Sequence, residues 1–147
     1  MKNNLIVNIL LIEDSPGDVE LTKEAFASWE IPHHLEVVSD GELAIQFLHQ
    51  KGKYAEKESP NFIILDLNLP RKDGIEVLKE LREDMTLNEI PIVILSTSNA
   101  ESDIKKCYDL GAYSYFVKPV DLDNFYDIIK SIEDLWLYGH KDSPSKE

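Results

Sequence analysis

The sequence predicts an α/β fold, a doubly wound, five-stranded parallel sheet flanked by five helices. Three observations carry this prediction. Short apolar runs of strand length alternate five times with segments whose apolar residues recur at helical spacing. The runs are near-continuously apolar, as in parallel strands buried on both faces. Four of them end in polar residues, Glu13-Asp14, Asp66, Ser96 and Lys118. In doubly wound sheets ligands bind beyond the carboxyl ends of the strands, where the strand order reverses, so these residues are expected to converge.

Taken in order, Val7 to Ile12 is the first strand. Ser15-Pro16-Gly17-Asp18 is a helix start, with Ser15 to cap free amides, Pro16 suited to the first helical position and Asp18 at the positive end of the dipole. Val19, Thr22, Ala25, Phe26 and Trp29 follow at helical spacing. Leu35 to Val38 is a second strand, Asp40-Gly41 opens a helix through Leu43, Ala44, Phe47 and Leu48, and the polar run from His49 to Ser59 reads as a loop. Phe62 to Leu65, the most apolar run, belongs at the centre of the sheet. Asp73 caps a helix bearing Gly74, Val77, Leu78 and Leu81 on one face.

Ile92 to Leu95 is the fourth strand, ending in Ser96-Thr97-Ser98. Ser98 and Glu101 are spaced as a capping box for a helix with Ile104, Cys107 and Tyr108, and Gly111 is placed to terminate it. Ala112 to Val117 is the fifth strand. Asp121 caps a last helix with Leu122, Phe125, Ile128, Ile129, Ile132, Leu135 and Trp136 at helical spacing. One domain is expected over residues 1–138, followed by a polar, frayed tail, 139–147.

With 147 residues, 43% of them hydrophobic, the chain can build a core without disulfide or metal staples. Its 15 basic and 28 acidic residues, a formal net charge of -13, predict repulsion from nucleic acid and anionic lipid. No DNA or membrane partner is expected. The lone cysteine, Cys107, reads as a packed hydrophobe, and with no secretory pattern the chain is expected in a reducing cytoplasm. His33 and His34 would point to opposite faces of a strand and cannot chelate together. With His49 and His140 they read as surface or packing residues.

The rim residues suggest a specific chemistry. Carboxylates on Glu13, Asp14 and Asp66 repel one another, and two unit charges about 4 Å apart cost on the order of 4 kcal/mol at an effective dielectric of 20. A hard cation resolves this conflict, and an all-oxygen acid cluster suits Mg2+. Asp66 can then attack phosphorus in line and form an acyl phosphate. Lys118 supplies positive charge, and the Ser96 hydroxyl a hydrogen bond to a phosphoryl oxygen.

The chain resembles the receiver domain of two-component response regulators. The resemblance rests on Glu13-Asp14, DLNLPRKDG from Asp66 to Gly74, ILSTS from Ile94 to Ser98 and YFVKP from Tyr115 to Pro119, in order over roughly Val7 to Ile132. It implies the α5β5 receiver fold and phosphorylation of Asp66 by a histidine kinase. It also implies Mg2+ held by Asp14, Asp66 and the backbone carbonyl of Asn68, with Glu13 acting through water. Ser96 and Tyr115 would be coupled switch residues, and Lys118 would bond the phosphoryl group. One departure is Thr97, where many receivers carry Ala or Gly. The insert before Pro60 and the ending IEDLWLYG look like stand-alone receivers that partner phytochrome-type histidine kinases.

Plainer readings stand beside these. Asn68 can be a turn residue before Pro70. Tyr115 can be a packed strand aromatic, and Trp136 a helix end packed on its own core. The last helix carries Phe125 and Tyr126, more apolar surface than one core face requires, which suggests a homodimer through the fourth helix, fifth strand and last helix. A Mg2+-dependent phosphatase of the haloacid dehalogenase type is a competing function. Such enzymes need a second Asp where this chain has Asn68, which cannot shuttle a proton. A pseudo-receiver acting only as a binding module is the other alternative, and the intact Asp66, Ser96 and Lys118 argue against it.

Overall fold

The structure, a computed structural model, describes residues 6–118 and 121–141. Strands β1 (Val7–Ile12), β2 (His33–Val38), β3 (Phe62–Leu65), β4 (Ile92–Ser96) and β5 (Ser114–Val117) form one parallel sheet in the order β2-β1-β3-β4-β5. Between and after them run helices α1 (Pro16–Phe26), α2 (Gly41–Leu48), α3 (Gly74–Glu83), α4 (Glu101–Asp109) and α5 (Leu122–Lys141). The most apolar strand, β3, lies in the centre as expected, and all four of its residues are buried.

Strand alternation sorts the apolar residues into two cores. Leu10, Ile12, Ile63, Leu65, Ile92 and Ile94 face Phe47 of α2, Leu78 of α3 and Cys107 of α4. Ile9, Leu11, Phe62, Ile64, Val93 and Leu95 face Phe26 of α1 and Phe125, Ile129 and Ile132 of α5. A strand with both faces covered needs a continuous apolar run, which explains the pattern legible in the sequence. Trp136 packs on the second core, its ring 5.7 Å from Phe62, as the plainer reading had it. His33 stacks edge-on against Trp29 at 5.3 Å, while His34 and His49 pair with Glu36 and Asp84 at the surface.

Several expectations need correction. Ser98 and Glu101 do not form a capping box: the cap position is Ala100, and α4 begins at Glu101 itself. The chain needs two more residues to turn away from β4, so Ser98 Oγ accepts from Ala100 N–H and donates to Asp103 instead. The run from His49 to Ser59 contains a 3-10 turn, Gly52–Tyr54, that packs Tyr54 against Phe47. Phe125 is fully buried and supplies no spare apolar surface, and Tyr126 is half-buried against the same core. Helix α5 continues to Lys141, past Gly139, while residues 142–147 lie outside the described residues. The caps expected at Ser15, Asp40, Asp73 and Asp121 are present.

Arg82, at the end of α3, clamps the two loops below the sheet. Its guanidinium donates to the carbonyls of Asn88, Ile90, Leu110 and Gly111. Gly111 ends the α4 turn with φ +90, and a Cβ there would sit 2.8 Å from Arg82 Nε. Burial lowers the guanidinium's proton affinity, although an arginine remains charged. Replacing Arg82 with Ala strands four carbonyls and is expected to cost about 2–4 kcal/mol in denaturant unfolding. A loss below 1 kcal/mol, on the order of a surface change, would contradict the clamp.

Candidate functional site

Parallel register builds the site. Ile12 pairs with Leu65, so the residues just beyond them, Glu13 and Asp66, emerge side by side at the carboxyl rim. Asp66 N–H donates to the Ile12 carbonyl at 3.0 Å, and Glu13 N–H to that of Val38 at 3.0 Å. The strand order reverses between β1 and β3, where ligands are expected in doubly wound sheets. Gly74 lets α3 start against this rim: a Cβ there would lie 2.5 Å from both the Asp66 carbonyl oxygen and Leu67 Cα.

Glu13, Asp14 and Asp66 each bring one carboxylate oxygen to within 4.8 Å of the others. Glu13 and Asp66 are buried, at 2% and 4% exposure, and Asp14 is exposed. Lys118, just past β5, reaches across β4 to this group and is itself buried at the side chain. Its Nζ lies 2.8 Å from Glu13 Oε1, 2.8 Å from Asp18 Oδ2 and 3.5 Å from Asp66 Oδ2. Four carboxylates against one ammonium leave the rim strongly negative.

That imbalance shows in the proton affinities. Desolvation pushes the Glu13 carboxyl up to about 7, against the hydrogen bond from Lys118, and the Asp66 charge adds to the rise. Burial would lower the Lys118 ammonium, but hydrogen bonds to Asp18 and Glu13 and the charge of Asp66 raise it. The donor set therefore fits a hard divalent cation, being all oxygen, anionic and open to water through Asp14.

Ser96 and Asn68 adjoin this rim, and Tyr115 stands behind it. Ser96, fully buried, ends β4, and its Oγ accepts from Ser98 N–H at 3.1 Å. Asn68 N–H donates to Asp66 Oδ1 at 3.3 Å, tying the loop to the acid. Thr97 is exposed, and its hydroxyl meets Asn68 Nδ2 at 3.5 Å across the mouth of the site. Tyr115 packs against the first core, its hydroxyl donating to the Ser98 carbonyl at 2.8 Å and its backbone N–H to the Tyr108 hydroxyl.

Sequence reasoning missed Asp18 as a member of this site. Its position in the first turn of α1 explained it locally, and its partner lies 100 residues away, so only the fold reveals the pair.

The family of the chain follows from comparison. Residues 9–130 match the response regulator receiver domain. The chain belongs to this family. The response regulator Rcp1 of Synechocystis sp. is 42% identical over 129 residues, covering 88% of each chain. The crystal structure of the phosphorylated cyanobacterial phytochrome response regulator RcpA superposes with a TM-score of 0.86 at 45% identity, covering 90% of this chain and 95% of that one. The Mn2+-bound form of Rcp1 gives 0.84 at 41% identity, covering 89% and 94%. The protein is thus a response regulator receiver of two-component signalling, and nothing favours the phosphatase alternative. Receivers work with histidine kinases, and the all-oxygen cluster makes this one a candidate for a divalent metal. Among the described residues no helix is long and apolar enough to cross a membrane.

The raised Glu13 carboxyl has a stability consequence. Because its proton is held more tightly in the folded chain than its ordinary 4.5, folding takes up a proton between 4.5 and about 7. The associated stability is present below this window and lost as pH rises through it. In cation-free buffer the melting temperature of Glu13→Gln should therefore gain on that of the wild-type receiver between these limits. Parallel curves for the two proteins would rule out the raised carboxyl.

Proposed function

We propose that Asp66 is the phosphoacceptor of this receiver, and that the reaction is confined to its own phosphorylation and slow loss of the phosphoryl group. The supporting observation is the convergence of Glu13, Asp14 and Asp66 carboxylate oxygens within 4.8 Å, with Lys118 beside them. A carboxylate oxygen of Asp66 attacks the phosphorus of a kinase phosphohistidine. The P–N bond breaks, the imidazole nitrogen leaves with the electron pair, and an acyl phosphate forms. Hydrolysis later returns the carboxylate and inorganic phosphate.

Mg2+ is the cation proposed, held by Asp14, Asp66 and the Asn68 backbone carbonyl, with Glu13 through water; when bound it supplies positive charge to the phosphoryl oxygens. That Rcp1 has a Mn2+-bound structure supports a divalent ion at this rim. Lys118 neutralises the group further, and Ser96 donates a hydrogen bond to it. Tyr115, already bonded to the β4–α4 loop through Ser98, couples that loop to β5 as the switch aromatic. The absence of an acid at Asn68 leaves no side chain there to deprotonate water, which favours a signal that persists over rapid turnover.

The proposed kinase is of the phytochrome type, supported by 45% identity to the phytochrome response regulator RcpA, and the proposed compartment is the cytoplasm, consistent with the buried free thiol of Cys107. We further propose a homodimer through α4, β5 and α5. Its support is exposed apolar surface at Tyr108, Tyr113, Val117 and Leu137, not the buried Phe125. Sedimentation should show a monomer–dimer equilibrium that a phosphoryl mimic shifts towards dimer, and a monomer at high concentration in both states would defeat the interface.

Incubation with a small phosphoryl donor and Mg2+ tests the acceptor. Intact mass should show one added phosphoryl group on the wild-type chain and none on Asp66→Asn. The same gain on both, or on neither, would overturn the assignment.

A further inference from the structure

Asp18 makes one of the two shortest contacts to the ammonium at the centre of the site. At 2.8 Å it matches Glu13, whereas Asp66 stands at 3.5 Å. An ammonium has three donors and no acceptor role. Two donors are engaged by Glu13 and Asp18, and Asp66 is left as the most distant of the three partners. We propose that Asp18 is a positioning residue for phosphoryl acceptance: by holding Lys118 Nζ to the first turn of α1, it keeps the ammonium from closing on Asp66. The Asp66 carboxylate then stays open to a divalent cation and to phosphorus. The inference rests on the reading of Asp66 as the phosphoacceptor.

The geometry separates this role from a simple helix-start charge. An acid in the first turn stabilises a helix through the dipole wherever its side chain points. The Asp18 carboxylate instead meets an ammonium 100 residues away in sequence. The amide that its helix start exposes, its own N–H, is already taken by Ser15 Oγ. The Lys118 side chain is only 5% exposed, so water cannot readily replace Asp18 as its acceptor. With Asp18 removed, the freed N–H can turn to Asp66 Oδ2, already 3.5 Å away, on the carboxylate that the cation would share.

A double-mutant cycle on the full chain tests this with Mn2+ alone as the probe, free ion being counted by electron paramagnetic resonance. Closing the ammonium onto Asp66 should weaken Mn2+ binding roughly fivefold in Asp18→Ala. In the Lys118→Ala background, the same substitution should change binding by less than about twofold, because its effect passes through the lysine. An equal fall in both backgrounds would show that Asp18 acts by its own charge, and no fall in either would show that it does not hold the ammonium. Either result overturns the proposal. The melting temperature of Asp18→Ala identifies a merely structural loss, which would lower stability without the Lys118-dependent change in Mn2+ binding. The rate of phosphate gain from a small donor should fall in parallel with Mn2+ affinity. Failure of the wild-type chain to accept phosphate would instead count against Asp66 as acceptor, with the Mn2+ cycle still deciding the role of Asp18.

Discussion

One buried ammonium among carboxylates sets the character of this receiver. Lys118 touches Glu13 and Asp18 and approaches Asp66, and Asp14 adds a fourth acid to the rim. A buried lysine left alone would shed its proton. Here the surrounding acids hold it charged, yet they outnumber it, and burial, with the Asp66 charge added, raises the proton affinity of Glu13. The site is consequently short of positive charge. A divalent cation answers that shortage, and the phosphoryl chemistry proposed for Asp66, which brings further negative charge, depends on it.

The rest of the molecule holds these groups at hydrogen-bond precision. Register between β1 and β3 sets Glu13 beside Asp66, and the two cores on opposite faces keep that register from slipping. Gly74 allows α3 to close on the Asp66 backbone, and the clamp of Arg82 fixes the far ends of β4 and β5. Loops therefore carry the reactive groups, but each loop is tied at a strand end. Asn68 and Thr97 meet at 3.5 Å, so the side chain that stands at Thr97 in place of Ala or Gly lies beside the β3–α3 loop.

Much of the fold was legible because buried parallel strands cannot be written any other way than as apolar runs. The central place of β3 and the caps at Ser15, Asp40, Asp73 and Asp121 followed from local chemistry. The α4 start did not, because Ser98 and Glu101 satisfy a capping motif on paper while the chain spends Asn99 and Ala100 on its turn and caps the helix at Ala100. The site was legible as far as the strand ends carried it, through Glu13, Asp14, Asp66, Ser96 and Lys118. Asp18 and Arg82 were opaque, since each has an adequate local explanation and partners distant in sequence. Phe125 misled for a related reason: helical spacing cannot say which apolar residues the sheet covers, and Phe125 lies with Ile129 and Ile132 in the buried stripe of α5.

Phosphorus carried on Asp66 as an acyl phosphate is the proposal on which the signalling role of this receiver turns. Borohydride reduction of the receiver after kinase-dependent phosphorylation, followed by peptide mapping, examines this bond directly, because reduction converts an aspartyl phosphate to homoserine. Homoserine is expected at residue 66 alone. Homoserine at Asp14 or another acid, or phosphate that survives reduction on a serine or histidine, would contradict it.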